Sequence, residues 1–305
     1  MNYIRILTIT LLLLIASTGQ AQDTSIFSQP IQMDEFVLRA SQSGWDVQAF
    51  IRRVKNDTTF YKAFRTMRLV PYSAENDIRI FNKRGRTKAA LHSRTRQVIE
   101  GNCRRTLVEQ EQVSGNYFKR NGEHRYYTAE LYDYLFFTEQ PVCGEDNIVS
   151  RPEPARNETQ IEKRKNQLKQ LIFNPGSKVA GVPFAGNKAA IFDEEISKMY
   201  DFKLLSVEYD GEDCYLFSAV PKPEFRNEVV YNELSTWFRR SDWSIVARDY
   251  SLSFKTLLYD FDVRMKVRLR NINGRLLPSR ISYDGNWHIA TQARERAVFQ
   301  KTISY

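Results

Sequence analysis

Three histidines are the side chains of this chain best suited to binding a metal or transferring protons. His92, His124 and His288 lie far apart in the sequence, and none occurs in an H-E-x-x-H or H-x3-H spacing. Metal sites usually draw two ligands from such a short spacing, because it places them on one face of one element. The sequence therefore favours a protein without a metal or other cofactor.

Two acidic residues, Asp260 and Asp262, have a spacing that would suit the hydrolysis of a glycosidic bond. On a strand they would lie about 7 Å apart on one face. Arg264 and Lys266 continue the same face, so an ordinary solvated charge ladder is the favoured interpretation. Neither a G-x-S-x-G nucleophile motif nor a G-x-x-x-x-G-K-[ST] phosphate loop occurs, and we expect a protein that is not an enzyme.

Three cysteines, Cys103, Cys143 and Cys214, allow three alternative single disulfide bonds in an oxidising compartment. In a hairpin with a two-residue turn at 121–122, Cys103 would lie opposite Gln140, three residues before Cys143. A turn after Gln140 would then bring the two cysteines within bridging distance. We expect a Cys103–Cys143 bond, with Cys214 free and packed as a small apolar residue.

The first 21 residues have the pattern of a secretory signal peptide. Arg5 supplies the positive charge, residues 6–16 form an apolar run, and Gly19 and Ala21 are the small residues of a cleavage site before Gln22. The run is about half the length of a membrane-spanning helix. We expect export to the periplasm or secretion, with no transmembrane segment in the mature protein.

The overall composition is that of a basic, globular protein. Hydrophobic residues make up 42% of the 305 residues, which is too many for a disordered chain, and 27% are charged, which is too many for a membrane bundle. The formal net charge is +9. In an exported protein this charge makes anionic envelope polymers candidate partners, whereas nucleic acid is not expected.

Helical signals occur in four places. Apolar residues at 47, 50, 51 and 54 predict a helix that begins at Asp46, and a second short helix is predicted at 60–67, capped by Asp57 or Thr58. Two more are predicted at 160–173 and 190–200. A surface loop at 141–158 precedes them, because that segment is rich in proline, asparagine and charge.

Alternating apolar and polar residues predict eleven strands. Four lie in the first half of the chain, at 77–82, 87–100, 103–118 and 125–138. Seven lie in the last third, at 202–209, 214–220, 229–238, 243–254, 258–270, 275–283 and 287–304, with a turn at 284–286 before the last. Connections this short require antiparallel pairing.

The register of one hairpin can be argued from the chemistry of its two faces. A two-residue turn at Asn273-Gly274 would pair Val263 with Asp284 and so mix an apolar face with a charged one. A three-residue loop at 272–274 pairs Val263 with Tyr283 instead, and the apolar faces match. We expect the three-residue loop.

Eleven antiparallel strands with one apolar face will not stay flat. Twist should curl them into a curved, incomplete barrel, with the short helices covering the concave face. The predicted fold class is therefore α+β, mostly antiparallel β. We expect residues 22–305 to form a single β-rich domain, and two subdomains joined at 141–158 are the alternative.

Three short motifs occur in the last third of the chain. They are Tyr250-Ser251-Leu252, Tyr259-Asp260-Phe261-Asp262, and Leu277-Pro278-Ser279-Arg280-Ile281 ahead of Gly285-Asn286-Trp287. With the helix-to-strand order at 46–82, they resemble the periplasmic lipoprotein-carrier family of the LolA/LolB type. The resemblance follows the order of elements over most of the mature chain, and it implies a hydrophobic cavity for acyl chains. The Tyr- and Asn-rich style of the chain also resembles exported Bacteroidetes proteins of unknown function.

The expected function is that of a non-catalytic exported carrier or binding module for a hydrophobic ligand, such as a lipid or a lipoprotein acyl chain. The candidate ligand-binding residues are those of the apolar face in the last third: Tyr250, Leu252, Tyr259, Phe261, Val263 and Met265. The alternative is a cell-envelope scaffold or assembly protein that binds a protein partner and has no ligand cavity. In that case the same side chains only pack the core.

Overall fold

A computed structural model describes residues 31–32, 53–54, 56–138, 140–144, 175–176, 188–255, 259–289 and 293–305. The predicted signal peptide at 1–21, the helix at 160–173, most of the helix from Asp46 and most of the loop at 141–158 lie outside these residues. In the described part of the chain, no helix has the length and apolar content needed to span a membrane.

The described residues contain twelve strands and three α-helices. The strands are β1 (Ile31–Gln32), β2 (Tyr72–Phe81), β3 (Thr87–Glu100), β4 (Cys103–Gly115), β5 (Val142–Cys143), β6 (Tyr200–Tyr209), β7 (Glu212–Pro221), β8 (Tyr231–Arg239), β9 (Ile245–Lys255), β10 (Tyr259–Ile272), β11 (Arg275–Ile289) and β12 (Glu295–Ser304). The helices are α1 (Thr59–Met67), α2 (Tyr127–Phe136) and α3 (Glu194–Ser197). Ten of the eleven predicted strands are confirmed, and α3 occupies part of the predicted helix at 190–200.

All twelve strands belong to one antiparallel sheet, in the order β1-β6-β7-β8-β9-β10-β11-β12-β2-β3-β4-β5. Strand β12 pairs with β2, and this pairing joins the last third of the chain to its first half. The two edges, β1 and β5, are two residues long and do not pair with each other. The predicted open, curled antiparallel sheet with few short helices is confirmed.

One face of the sheet is apolar and covered, and the other is charged and wet. On β10, Phe261, Val263 and Met265 are at most 6% exposed. Between them, Asp262 and Arg264 are exposed. The predicted alternation is confirmed, and the covered side is called the apolar face from here on.

The prediction of a strand at 125–138 is wrong, because this segment forms helix α2. Tyrosine and phenylalanine favour strands, and their density there suggested one. The buried positions Thr128, Leu131, Tyr132 and Leu135 instead follow the i, i+3, i+4, i+7 spacing of a helix that buries one side. Packing of that side decided the structure.

The predicted register of the β10–β11 hairpin is also wrong. The turn has two residues, Asn273 (φ 52°) and Gly274 (φ 79°), and the expected three-residue loop does not form. A bulge at Ser279 shifts the pairing by one residue beyond the turn, so that Met265 lies opposite Tyr283. The apolar faces therefore match because of the bulge. The requirement that the faces match does not by itself distinguish a bulge from a longer turn.

The predicted turn at 284–286 does not exist, because β11 continues to Ile289. Gly285 lies inside the strand, where a Cβ would approach the Tyr283 hydroxyl oxygen to 2.0 Å. The glycine makes room for the tyrosine ring and is not a turn residue.

Helix α1 matches the predicted short helix. Its first turn is capped by Asp57, whose Oδ1 accepts a hydrogen bond from the Thr59 backbone N–H at 3.0 Å. Phe60, Phe64 and Met67 are buried against the sheet.

The predicted disulfide bond joins Cys103 and Cys143, and Cys214 is free and buried. The bond lies between directly paired residues of β4 and β5. The hairpin expected to bring the cysteines together does not form, since the chain returns through α2 and the short strand β5. The pairing is confirmed, although the connection between the two cysteines differs.

Candidate functional site

A row of apolar side chains crosses nine neighbouring strands of the apolar face. Each residue is the direct cross-strand partner of the next, in the order Phe202, Ala219, Leu234, Tyr250, Met265, Tyr283, Phe299, Ile78 and Leu91. All except the half-buried Phe202 are buried. Within this apolar row the rings of Tyr283 and Phe299 stack at 4.7 Å. The row gives the sheet one continuous hydrophobic surface from β6 to β3.

The structure brings most of the predicted ligand-binding residues together. Tyr250 is paired with Met265, and Leu252 with Val263, on the neighbouring strands β9 and β10. Phe261 follows on the same face, whereas the side chain of Tyr259 lies outside the described part. The five described residues share one hydrophobic cluster. Their contact with a ligand stays a prediction.

Two helices lie over this surface as separate covers. From α2, the rings of Tyr132 and Phe136 approach Phe299 to 5.1 and 5.9 Å. From α1, Phe60 lies with its ring 4.5 Å from the guanidinium carbon of Arg248. Side-chain packing and a few hydrogen bonds join both helices to the sheet, among them one from Gln97 Nε2 to the Met67 carbonyl at the end of α1.

A carboxylate from the sheet caps α2. Glu295, at the start of β12, accepts hydrogen bonds from the backbone N–H groups of Tyr127 and Thr128, both at 2.8 Å. These N–H groups have no acceptor within the helix, and a negative charge there also complements the helix dipole. The capping residue lies far along the chain, so the local sequence of α2 carries no signal for it.

A second row on the apolar face carries two buried cations. Its residues, again direct partners, are Leu204, Phe217, Thr236, Arg248, Val267, Ile281, Lys301, Asn76 and Ser93. Arg248 is 7% exposed and Lys301 is 1% exposed. No residue of this cation row carries a carboxylate. Three strand spacings separate the two cations, which is about 14 Å.

Lys301 is held by one amide and three rings. Its Nζ donates to Asn76 Oδ1 at 3.0 Å and lies 5.3 Å from the ring centre of Tyr72. The rings of Tyr132 and Phe136 complete the surroundings at 5.9 and 5.8 Å. Burial lowers the pKa of this ammonium group to about 7.

Arg248 has a different environment. Its Nε donates to Thr236 Oγ1 at 3.0 Å, and among the described residues no carboxylate forms an ion pair with it. Burial lowers the pKa of the guanidinium, and the nearby charge of Asp57 acts in the opposite direction. Neither cation was predicted from the sequence. The available signal was a basic residue at an otherwise apolar, inward position of β9 and of β12.

The three histidines have different neighbours. His92 lies 3.5 Å from Asp77, while His288 lies 3.8 Å from Asp260, which also binds Arg294 at 2.6 Å. His124 lies elsewhere, with its ring 5.3 Å from that of Phe118. In the described ranges, no three His, Cys, Asp or Glu side chains gather as a metal site.

The outward face carries a cleft of about 880 Å³. Four arginines line it, namely Arg239, Arg268, Arg270 and Arg280. Arg268 binds Asp249 and Arg239 binds Glu212, whereas the side chains of Arg270 and Arg280 are exposed. The cleft is therefore a basic surface, separate from the apolar face.

No protein-family model and no curated protein sequence matches this chain. Among solved structures, a DUF1329 family protein from Desulfovibrio piger aligns at 13% identity over 80% of this chain and 92% of its own, with a TM-score of 0.23. A domain designated as an outer membrane lipoprotein-sorting protein, from Vibrio parahaemolyticus, aligns at 12% identity over 81% and 92%, with a TM-score of 0.26. A LolA superfamily protein from Nitrosomonas europaea aligns at 13% identity over 80% and 90%, with a TM-score of 0.22. At these scores neither fold nor function is transferred from them.

Proposed function

We propose that this protein is a non-catalytic, exported carrier or binding module for a hydrophobic ligand, such as a lipid or a lipoprotein acyl chain. The observation that supports this proposal is the apolar row, which crosses nine strands beneath helices that lie on it as separate covers. Helices that cover such a row without pairing to any strand could separate from it and admit a ligand.

Binding would rest on the burial of apolar surface. Each methylene group transferred from water is worth about 0.8 kcal/mol, so ten methylenes would contribute roughly 8 kcal/mol before the costs of ordering the ligand and the covers. The contacts would come from the predicted set, Tyr250, Leu252, Tyr259, Phe261, Val263 and Met265. No proton transfer or bond cleavage is involved.

The covers would have to move for a ligand to enter. Helix α2 is joined to the sheet by the Glu295 cap, by a hydrogen bond from the Tyr132 hydroxyl to Asn76 Oδ1, and by rings that pack on the apolar face. Such contacts can break without disturbing the hydrogen bonds of the sheet. We assign α1 and α2 the role of lids.

We place the protein in the periplasm or outside the cell, with residues 22–305 acting as one domain. The Cys103–Cys143 bond supports this placement, since disulfide bonds persist in oxidising compartments. The continuous sheet, which joins both halves of the chain, supports a single domain.

The proposal can be tested with N-phenyl-1-naphthylamine, a neutral dye that fluoresces in apolar surroundings. Delipidated full-length protein should bind it saturably, with one site per chain. Val263→Phe places extra volume in the middle of the apolar face and should weaken binding about tenfold or more.

The matched control is Arg264→Phe, which adds a ring to the exposed face of the same strand and should leave the affinity within about twofold. Thermal unfolding of each variant verifies the fold, and Val263→Leu replaces Val263→Phe if the larger side chain prevents folding. Equal binding by the Val263 and Arg264 variants would contradict the proposed site.

A second candidate function is that of an envelope scaffold that binds a partner through its outward face. The basic cleft with the exposed Arg270 and Arg280 favours this candidate, because anionic envelope polymers or an acidic protein surface would complement it. Arg270→Glu together with Arg280→Glu should then abolish the partner complex while dye binding stays unchanged.

A further inference from the structure

Arg248 is a permanent charge on a face that is otherwise suited to apolar contacts. Its inward neighbours along β9 are Tyr250 and Leu252, both buried, and its cross-strand partner on β10 is Val267. A guanidinium group does not lose its proton in proteins. The groups around Arg248 must therefore compensate its positive charge.

No described carboxylate forms an ion pair with Arg248 to supply that compensation. Asp57 acts on Arg248 only through its field, and both of its carboxylate oxygens accept hydrogen bonds from Thr59. Lys301, in the same row, is a second cation. Besides the field of Asp57 and the ring of Phe60, the described residues give the guanidinium one hydrogen bond, to the neutral hydroxyl of Thr236.

Among the described residues, one edge of the guanidinium has no hydrogen-bond acceptor. Thr236 engages Nε, and the Phe60 ring covers one face of the planar group. The two terminal nitrogens lie in the plane at the opposite edge, and the described residues provide them with no hydrogen-bond acceptor. Two parallel N–H groups at that edge match the two oxygens of a carboxylate.

We infer that Arg248 binds the carboxylate of an amphiphilic ligand whose hydrocarbon chain lies along the apolar row. This inference rests on the proposed function and adds the chemical class of the ligand, a long-chain fatty acid or another acyl chain that ends in a carboxylate. Tyr250 follows Arg248 on the same strand two residues later, and its ring lies 6.4 Å from that of Tyr231, so the guanidinium and two phenols lie on the same side of the sheet.

The experiment compares cis-parinaric acid with its methyl ester, which has the same fluorescent chain and no charge. Full-length protein should bind the acid about tenfold or more tightly than the ester at pH 8. Arg248→Met should bind both with nearly equal affinity, and Arg248→Lys should retain part of the preference. Arg264→Met makes the same replacement on the outward face and should keep the full preference.

Arg248→Met is expected to fold, because exchanging a buried charge for an apolar side chain of similar length seldom destabilises a protein. Thermal unfolding tests this expectation. If Arg248→Met does not fold, Arg248→Lys provides a second measurement. If the wild-type protein binds acid and ester equally, or if Arg248→Met keeps the preference, the inference is wrong while the carrier function stands. If neither compound binds, both are wrong.

Discussion

At the scale of single residues, the burial of Lys301 makes folding stability depend on pH. The pKa of its ammonium group is lowered by burial from 10.5 to about 7 in the folded protein. Between these two values the unfolded chain binds more protons than the folded one, so stability rises as the pH increases. Above about pH 10.5 stability instead falls as the pH increases. The reason is that burial raises the pKa of Tyr72 to about 12, so the unfolded chain loses that proton at a lower pH than the folded one.

Lys301→Met should remove the rise in stability between pH 7 and about pH 9.5, and it should stabilise the protein most at pH 6 to 7. The reason is that the variant no longer buries a charge below pH 7. Urea unfolding at several pH values measures the effect. Lys266→Met, on the outward face, is the control and should keep the wild-type pH dependence; an unchanged dependence in the Lys301 variant would contradict the assignment.

At the scale of elements, one carboxylate of the sheet caps α2, in addition to the ring packing and the hydrogen bond from Tyr132 to Asn76 Oδ1 that also hold the helix. Glu295→Gln keeps the shape of the side chain and removes the charge, so the two capping hydrogen bonds weaken. We expect a loss of about 1 kcal/mol in unfolding free energy. The exchange rates of the amide hydrogens of 127–136 should increase more than those of the sheet.

The control for this prediction is Glu208→Gln, which makes the same change at an exposed position of β6. It should leave the exchange of α2 unchanged. Uniform acceleration over the whole sheet in the Glu295 variant would show that the residue supports the fold in general and does not hold a lid.

The strands could be predicted because their signal is local. Alternation of apolar and charged residues along the predicted strand at 258–270 depends only on neighbouring positions, and the structure follows it at 260–270. The bulge at Ser279 has no such signal, since it is an irregularity of the pairing between β10 and β11. Helix α2 was mistaken for a strand because aromatic residues serve both structures, and only the packing partner distinguishes them.

At the scale of the whole molecule, the disulfide bond closes a loop of 40 residues that contains α2. Reduction should lower the unfolding free energy by roughly 3–4 kcal/mol, mainly because the unfolded chain gains freedom. Urea unfolding with and without reductant should show this difference for the wild type and for Cys214→Ala, and no difference for Cys143→Ser. A wild-type protein indifferent to reductant would contradict the structural role of the bond.

The candidate site could be predicted only in part. Five of its residues could be predicted from the sequence because they lie on two consecutive strands, namely Tyr250, Leu252, Phe261, Val263 and Met265. The cation row was not, since Arg248 and Lys301 come into one row only through the pairing of four strands. A site built across a sheet depends on the register of every strand between its members, and a single bulge changes that register.

The central claim is that the apolar face holds a hydrophobic ligand, and native mass spectrometry of the full chain isolated from an envelope extract tests it most directly. We predict a non-covalent complex with one lipid or acyl-chain compound. Activation of the ion should dissociate this complex, so that only the mass of the ligand-free protein remains. A spectrum that shows only ligand-free protein, bound stably to a protein partner, would contradict the carrier and support the scaffold.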